Sequence, residues 1–306
     1  MRVVFFGTPE FAVPSLRELL RRGVEVAAVV TQPDRPQGRS RSAVVAPPVK
    51  RAALEAGLPV LQPERPVGDL FATSLRHLRA DLAVVVAYGH ILRPDILAIP
   101  RHGMINVHAS LLPRWRGAAP IAWAILHGDP ETGISIMRME AGLDSGPVLL
   151  RVRTPIGPEE TAGRLTERLA QLGAAALGEA LERAAGTDPG EPQDHAAATY
   201  APKIDRGMAR IALEEPAGAG ARRIRAFDPV PGAWATLRGT PVKLFGAHVV
   251  PGTGAPGQVI GANRVLVVAF GRDAIEVDEV QPAGKPRMSA EEWVRGRGVA
   301  VGDRFE

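Results

Sequence analysis

The chain of 306 residues contains no cysteine, and aromatic residues make up only 5% of it. The absence of cysteine excludes disulfide bonds, thiolate metal ligands and a cysteine nucleophile. No apolar run reaches the length of a membrane span, and the N-terminal run of residues 3–6 is too short for a signal peptide. These absences predict a soluble, cytoplasmic protein.

Lysine is scarce as well, so almost every basic residue is an arginine. The formal net charge is +4. A positive balance of this size permits a polyanionic partner such as nucleic acid, but it does not establish one. The length exceeds that of one typical domain and favours two.

The N-terminal segment has the pattern of a β-α-β unit. Residues 3–6 (VVFF) and 24–30 are apolar runs typical of buried parallel strands, and a helix ending near Gly23 separates them. The first turn, residues 7–10 (GTPE), is neither G-x-G-x-x-G nor a P-loop. The pattern therefore predicts an α/β fold with a Rossmann-like, doubly wound, mostly parallel sheet, and it gives no reason to expect a nucleotide cofactor.

Further along, residues 31–48 read as a long loop rich in proline, and residues 82–87 (LAVVVA) as a central strand. Residues 158–185 have the period of an amphipathic helix. The last hundred residues contain short, evenly spaced strand patterns, which predict a small antiparallel barrel or sandwich. We therefore expect a first domain at 1–187, a linker at 188–205 and a second domain at 206–306.

The stretch from Gly103 to Pro113 (GMINVHASLLP) is the most informative part of the chain. Its first half predicts a strand, and side chains two residues apart on a strand lie on the same face, so Asn106 and His108 share one. Asp144 lies in a glycine-flanked loop between two further predicted strands. Taken singly, each residue also fits a structural role, as a hydrogen-bonded polar group or a turn aspartate.

Together, these three side chains suit acyl-type transfer through a tetrahedral intermediate. An asparagine can donate a hydrogen bond to an oxyanion, a histidine can move a proton near neutral pH, and an aspartate can orient the histidine. A triad of Ser110, His108 and Asp144 is disfavoured because the G-x-S-x-G motif is absent. The histidine spacing does not indicate a metal site.

Residues 106–121 (NVHASLLPRWRGAAPI) and 139–146 (MEAGLDSG) resemble the signature of the folate-dependent formyltransferases. The resemblance implies transfer of a formyl group from 10-formyltetrahydrofolate, as a co-substrate, to an amine, with no metal and no nucleotide cofactor. The family's catalytic residues fall on Asn106, His108 and Asp144. Its folate-binding residues fall on two segments, which comprise Ser110, Leu111, Leu112 and Pro113 in one and Val86, Tyr88, Gly89, Ile91 and Leu92 in the other.

Other stretches along the chain are similar to the members of this family that formylate methionyl initiator tRNA. These stretches are residues 5–12, 31–39, 85–89, 224–229 and 281–285. This similarity implies an OB-like C-terminal domain that contacts the tRNA backbone, and a basic loop that meets the acceptor stem through Arg35, Arg39 and Arg41. We also expect a monomer. In place of the family's usual glycine and lysine pair, this loop continues with Ser40, Arg41 and Ser42.

Two other functions remain open from the sequence. The chain could formylate a different amine, such as a nucleotide sugar or glycinamide ribonucleotide, or it could be a catalytically silent tRNA-binding protein. The loop at 31–39 and the C-terminal strands argue against the first, and the set of Asn106, His108 and Asp144 argues against the second.

Overall fold

The computed structural model of the protein describes residues 1–37, 43–186 and 188–306. Residue contacts divide the chain into two compact units. The first unit comprises Met1–Gly117, Thr132–Thr154 and Thr166–Tyr200, and the second comprises Ala118–Glu131, Pro155–Leu165 and Ala201–Glu306.

The secondary structure alternates between strands and helices in the first half of the chain and is mainly strands near the C-terminus. The strands are β1 (Arg2–Gly7), β2 (Glu25–Val30), β3 (Arg35–Gln37), β4 (Ala43–Val45), β5 (Val60–Leu61), β6 (Leu82–Val86), β7 (Met104–His108), β8 (Arg116–Gly117), β9 (Glu131–Arg138), β10 (Val148–Pro155), β11 (Tyr200–Ala201), β12 (Trp234–Leu237), β13 (Thr240–Val250), β14 (Val259–Ala262), β15 (Leu266–Ala269), β16 (Ala274–Pro282) and β17 (Met288–Ser289). The helices are α1 (Val13–Arg21), α2 (Pro48–Glu55), α3 (Asp69–His77), α4 (Pro94–Leu97), α5 (Pro120–His127), α6 (Ala162–Ala185), α7 (Ala217–Ala226) and α8 (Ala290–Arg295).

The first unit is built on a seven-stranded sheet with the order β10-β9-β7-β6-β1-β2-β5. The pairs β1–β2, β2–β5, β1–β6 and β6–β7 are parallel, and β9 pairs antiparallel with β7. All five residues of β6 are buried, as expected for a central parallel strand covered on both faces. The predicted Rossmann-like, mostly parallel sheet is confirmed.

The order of the parallel strands reverses at β1, which has β2 on one side and β6 on the other. In open α/β sheets, ligands bind outside the carboxyl ends of the strands near such a reversal. Strands β6 and β7 are neighbours with Val85 opposite Asn106, so the turn after β6 and the loop after β7 leave the sheet at the same edge.

Two expectations from the sequence need correction. Residues 31–48 are not an unbroken loop, because β3 and β4 pair antiparallel with Pro36 opposite Val44. The long helix begins at Ala162 and not at residue 158, since Thr161 Oγ1 accepts a hydrogen bond from the backbone N–H of Arg164 at 3.3 Å and so caps the helix.

The second unit contains an antiparallel sheet with the order β12-β13-β16-β15-β14, and β17 pairs with β16. The C-terminal residues contact both edge strands of this sheet. Thr236 and Glu306 exchange two backbone hydrogen bonds of 2.8 Å, and Val259 donates one of 2.8 Å to Asp303 O. The predicted small C-terminal β domain is confirmed as an antiparallel half-barrel. Its two edge strands, β12 and β14, both pair with the C-terminal tail, residues 303–306.

Helices α7 and α8 were not predicted from the sequence. Helix α7 contains two glycines and is rich in arginine, and α8 has only six residues, so neither carries a long apolar period. Ser289 caps α8 with a capping box that includes Glu292, which is a local pattern that could have identified it. Among the described residues, no helix combines the length and the hydropathy needed to cross a membrane.

Candidate active site

Strand β7 carries two polar side chains at its carboxyl end. Asn106 is partly buried and His108 is 5% exposed, and their partners in β9 are Met137 and Ser135. Because side chains alternate along the strand, Asn106 and His108 lie on one face and Val107 on the other, as predicted. A buried imidazole and carboxamide need polar partners.

Asp144, from the loop between β9 and β10, faces both of these side chains. Asn106 Nδ2 donates to Asp144 Oδ1 over 3.4 Å, and His108 Nδ1 lies 3.7 Å from Asp144 Oδ2. The backbone N–H of Gly117 donates to the same Oδ2 at 2.8 Å. The structure therefore brings together the three side chains that the sequence singled out, although Asp144 lies 38 residues from Asn106.

The two nitrogens of the His108 ring have different neighbours. Nε2 lies 2.9 Å from Trp115 O. A carbonyl can only accept, so this contact assigns the ring hydrogen to Nε2 and leaves Nδ1 facing the carboxylate of Asp144. A proton added to His108 therefore goes to Nδ1, next to a negative charge.

The backbone of Asp144 is in the left-handed region, with φ of 46°. This conformation is uncommon outside glycine, although aspartate tolerates it better than most residues, and here it has support from its surroundings. The side-chain amide of Gln193 supplies it, since Nε2 donates to Asp144 O at 2.9 Å and to Gly146 O at 2.7 Å.

Gln193 is in turn held by Arg116, whose Nε and Nη2 donate to Gln193 Oε1 at 3.1 and 2.7 Å. Arg116 Nη2 also lies 3.2 Å from His195 Nδ1. Arg116 is 4% exposed and Gln193 is 5% exposed. Neither residue was predicted from the sequence. Gln193 falls in residues 188–205, which have no period and were predicted to be a linker, so nothing local distinguishes it.

The first predicted folate segment, residues 110–113, forms a well-fixed turn after β7. Ser110 is fully buried, and its hydroxyl donates to Arg114 O at 2.6 Å. Ser135 Oγ donates to Ser110 O at 2.7 Å and accepts from Leu112 N at 3.0 Å, and Arg151 Nε donates to Leu112 O at 2.9 Å. Strands β9 and β10 therefore hold the turn rigidly beside His108.

The second predicted folate segment, residues 86–92, is the turn after β6. Tyr88 O accepts hydrogen bonds from Thr8 Oγ1 at 2.8 Å and from Gln32 Nε2 at 3.1 Å. Gly89 has φ of 87°, a backbone conformation that L side chains rarely adopt, so glycine is favoured at this position. Side chains that follow β1 and β2 thus fix the turn at the reversal of strand order.

The side chains of this turn differ in exposure. The Tyr88 ring is buried against Phe6 at 5.4 Å between ring centroids, and burial raises the pKa of the Tyr88 hydroxyl to about 12. Val86 and Leu92 are buried, whereas Ile91 is 85% exposed. Within the described residues, the buried Tyr88 Oη and His90 Nε2 have no hydrogen-bond partner.

Of the three arginines predicted to contact tRNA, Arg35 is exposed at the start of β3. Arg39 and Arg41 lie outside the described residues. In the part of the chain that the structure describes, no group of three histidine, aspartate or glutamate side chains could hold a metal ion.

Comparison with known proteins agrees with this fold. The family model of the formyl transferases matches residues 1–181, and the model of the formyl transferase C-terminal domain matches residues 203–298. Solved structures share the fold at low identity. HypX from Aquifex aeolicus, in complex with tetrahydrofolic acid, has a TM-score of 0.68 at 18% identity; the alignment covers 98% of this chain and about half, 48%, of the HypX chain. The sugar 3N-formyl transferase WlaRD has a TM-score of 0.66 at 16% identity, over 94% of this chain and 99% of WlaRD.

Curated relatives match over the full length. The methionyl-tRNA formyltransferase of Ruegeria pomeroyi is 49% identical over 305 residues, which is 100% of both chains. That of Methylococcus capsulatus is 50% identical over 98% of both chains, and that of Thermobifida fusca is 46% identical over 100% of this chain and 99% of the relative. The chain therefore belongs to the formyl transferase family, and within it to the methionyl-tRNA formyltransferases.

Proposed function

We propose that this protein transfers the formyl group of 10-formyltetrahydrofolate to the amino group of methionyl initiator tRNA. The observation that carries the proposal is the convergence of Asn106, His108 and Asp144 at the carboxyl end of β7. The full-length relatives named methionyl-tRNA formyltransferase support the choice of substrate. We infer a cytoplasmic location, because translation takes place in the cytoplasm.

In the proposed reaction, the amine attacks the formyl carbon and negative charge develops on the formyl oxygen. Asn106 Nδ2 has two hydrogens, of which one suffices for the contact with Asp144 Oδ1. The other can donate to the oxyanion. A preorganised donor of this kind lowers the barrier by about 3–4 kcal/mol in other enzymes.

His108 has two parts in this proposal. Its Nε2 hydrogen can stabilise the oxyanion once the oxyanion replaces Trp115 O as its acceptor. Its Nδ1 can receive the proton that the attacking amine loses, directly or through water, and Asp144 then stabilises the imidazolium across 3.7 Å. The carbon–nitrogen bond to the folate then breaks, and the folate nitrogen takes the proton held by His108 as it leaves.

The two folate segments supply different surfaces to the donor. The turn at residues 110–113 follows β7 directly, so it can place the formyl group beside His108. The turn at residues 86–92 offers backbone polar groups and the exposed side chain of Ile91. Buried polar atoms without a partner in the described residues, such as His90 Nε2, suit a pterin ring that carries its own donors and acceptors.

We further propose that Arg35, Arg39 and Arg41 contact the phosphates of the tRNA acceptor stem. Arg35 is exposed and starts a β pair whose other strand ends at Val45. The division into a catalytic domain at 1–187, a linker at 188–205 and a tRNA-binding domain at 206–306 is part of the same proposal. The two family models, at 1–181 and 203–298, support it.

The test is a formyl-transfer assay with 10-formyltetrahydrofolate and a panel of amines. The panel contains initiator Met-tRNA, elongator Met-tRNA, uncharged initiator tRNA, glycinamide ribonucleotide and an amino-sugar nucleotide. We expect formylation of initiator Met-tRNA alone. Transfer to a small amine instead would show that the assigned substrate is wrong, while the proposed reaction at the formyl group would stand. Binding of tRNA without any transfer would favour a silent tRNA-binding protein.

A further inference from the structure

A buried pair of polar side chains, Arg116 and Gln193, lies behind the candidate active site, outside the three residues assigned to catalysis. We infer that Gln193, held by Arg116, is a positioning residue that fixes the turn carrying Asp144. The inference rests on the proposed function, because it concerns how Asp144 reaches His108. All of these residues belong to the first unit.

The partners of the Gln193 amide fix its orientation. A glutamine amide can be placed either way round unless its partners distinguish oxygen from nitrogen. Arg116 has only donors, and two of them, Nε and Nη2, point at Gln193 Oε1. The amide nitrogen must therefore face the opposite side, where the carbonyls of Asp144 and Gly146 accept its two hydrogens.

The contact from Gln193 holds the turn that carries Asp144 in place. Asp144 has φ of 46°, a left-handed conformation that is uncommon outside glycine, and a restraint from its surroundings keeps the turn in this one conformation. Two hydrogen bonds of 2.9 and 2.7 Å from one buried amide span the turn from Asp144 to Gly146 and supply this restraint. The loop that contains this turn connects β9, which ends at Arg138, to β10, which begins at Val148.

The segment that contains Arg116 also holds the Asp144 carboxylate. Gly117, the residue after Arg116, donates its N–H to Asp144 Oδ2 at 2.8 Å. Arg116 and its neighbour therefore fix both ends of Asp144, the carbonyl through Gln193 and the carboxylate through Gly117. Loss of this support lets the carboxylate move relative to His108, and displacements of about 1 Å in an active site can lower a rate about a hundredfold.

The variant Gln193→Glu separates positioning from packing. Glutamate has nearly the same shape, and its carboxylate can still accept hydrogen bonds from Arg116. It cannot donate to the carbonyl oxygens of Asp144 and Gly146, so oxygen lone pairs face each other at these two contacts. Gln171→Glu makes the same chemical change at an exposed position of α6 and serves as the matched control. We expect Gln193→Glu to lower kcat about 10- to 100-fold while KM for 10-formyltetrahydrofolate and for Met-tRNA changes less than about threefold.

A double-mutant comparison shows whether the effect passes through Asp144. In the Asp144→Ala background, Gln193→Glu should cost less than about twofold in kcat, because the carboxylate it positions is gone. Losses that simply multiply, with a matching drop in the thermal unfolding midpoint, would mean that Gln193 is only a packing residue and would overturn the inference.

A readout that does not depend on turnover keeps this inference apart from the proposed function. The Gly117 amide proton reports the bond to Asp144 Oδ2, so its hydrogen-exchange protection should fall about tenfold or more in Gln193→Glu and stay unchanged in Gln171→Glu. Unchanged protection together with unchanged kcat would refute the positioning role. Loss of protection in a protein that formylates no tRNA would support it and overturn the proposed function instead.

Discussion

At the residue scale, the two nitrogens of the His108 ring define what the side chain can do. Nε2 points at a backbone carbonyl and Nδ1 at a carboxylate, so the ring can donate on one side and take up a proton on the other. An exposed histidine lacks such a division of roles, because water serves both nitrogens equally.

We predict that His108→Ala lowers turnover by at least about a hundredfold, the usual range for a general acid–base group. The variant removes both the donor on Nε2 and the proton acceptor on Nδ1. Steady-state formylation of Met-tRNA measures the effect. His77→Ala, which removes an exposed histidine from α3, should leave turnover within about twofold. Near-normal turnover of His108→Ala would remove this residue from the chemistry.

Glu18 in α1 offers a test of stability against pH. Its carboxylate accepts hydrogen bonds from Arg21 at 2.7 Å and Arg22 at 2.6 Å, and these bonds lower the pKa of Glu18 from 4.5 to about 2. A carboxyl group with a lowered pKa stabilises the fold above its unfolded pKa and loses that contribution as the pH falls towards the folded value.

We therefore predict that Glu18→Gln lowers the free energy of unfolding at pH 7 by up to about 1 kcal/mol, since both arginines are partly exposed to solvent. The difference between parent and variant should shrink as the pH falls from about 4.5 to about 2. Denaturant unfolding across this pH range measures it, with Glu55→Gln as an exposed control. A difference that is constant with pH would contradict the assignment.

At the scale of elements, the C-terminal tail matters because it pairs with both edges of the second sheet. Unpaired edge strands are a site of unwanted association, and here residues 303–306 cover part of β12 and the start of β14. Phe305 anchors this tail, being 1% exposed with its ring centroid 6.5 Å from that of Trp293 in α8.

We predict that Phe305→Ala lowers the free energy of unfolding by about 3–5 kcal/mol, the usual cost of removing a buried phenylalanine ring. Chemical denaturation followed by the fluorescence of tryptophan measures the change. Val301→Ala, four residues earlier and 64% exposed, should cost less than about 0.5 kcal/mol. Equal effects of the two substitutions would show that the tail is not anchored through Phe305.

At the scale of the whole molecule, net charge and the proposed RNA substrate predict a dependence on salt. The chain carries a net charge of +4, and the proposed interface includes Arg35, Arg39 and Arg41. Each arginine–phosphate contact releases counterions, so affinity for tRNA falls as salt rises, whereas binding of the small folate is affected much less.

For three phosphate contacts, we predict that KM for Met-tRNA rises about 20- to 40-fold between about 50 and 200 mM monovalent salt. Arg39→Ala should weaken the use of tRNA and reduce the slope of log KM against log salt by about 1, with KM for 10-formyltetrahydrofolate unchanged. Arg17→Ala, an exposed arginine on α1, is the charge-matched control. A slope that is the same in Arg39→Ala and in Arg17→Ala would place Arg39 outside the interface.

The sequence by itself determined the elements whose patterns are local. Apolar runs such as that of β6 identify buried parallel strands, and alternation places Asn106 and His108 on one face, because both properties depend only on neighbouring residues. Motif resemblance then identified the family. The β3–β4 pair and the exact start of α6 depended on contacts that a periodic pattern does not contain.

Only the tertiary structure decided how the site is held together. Asp144 meets Asn106 across 38 residues, and Gln193 meets Arg116 across 77 and Asp144 across 49. No local period or propensity encodes such pairs, since they arise when the sheet brings distant loops to one edge and buried polar groups must find partners there. For this reason, His108 and Asn106 were visible in the sequence, whereas Gln193 became visible only in the folded chain.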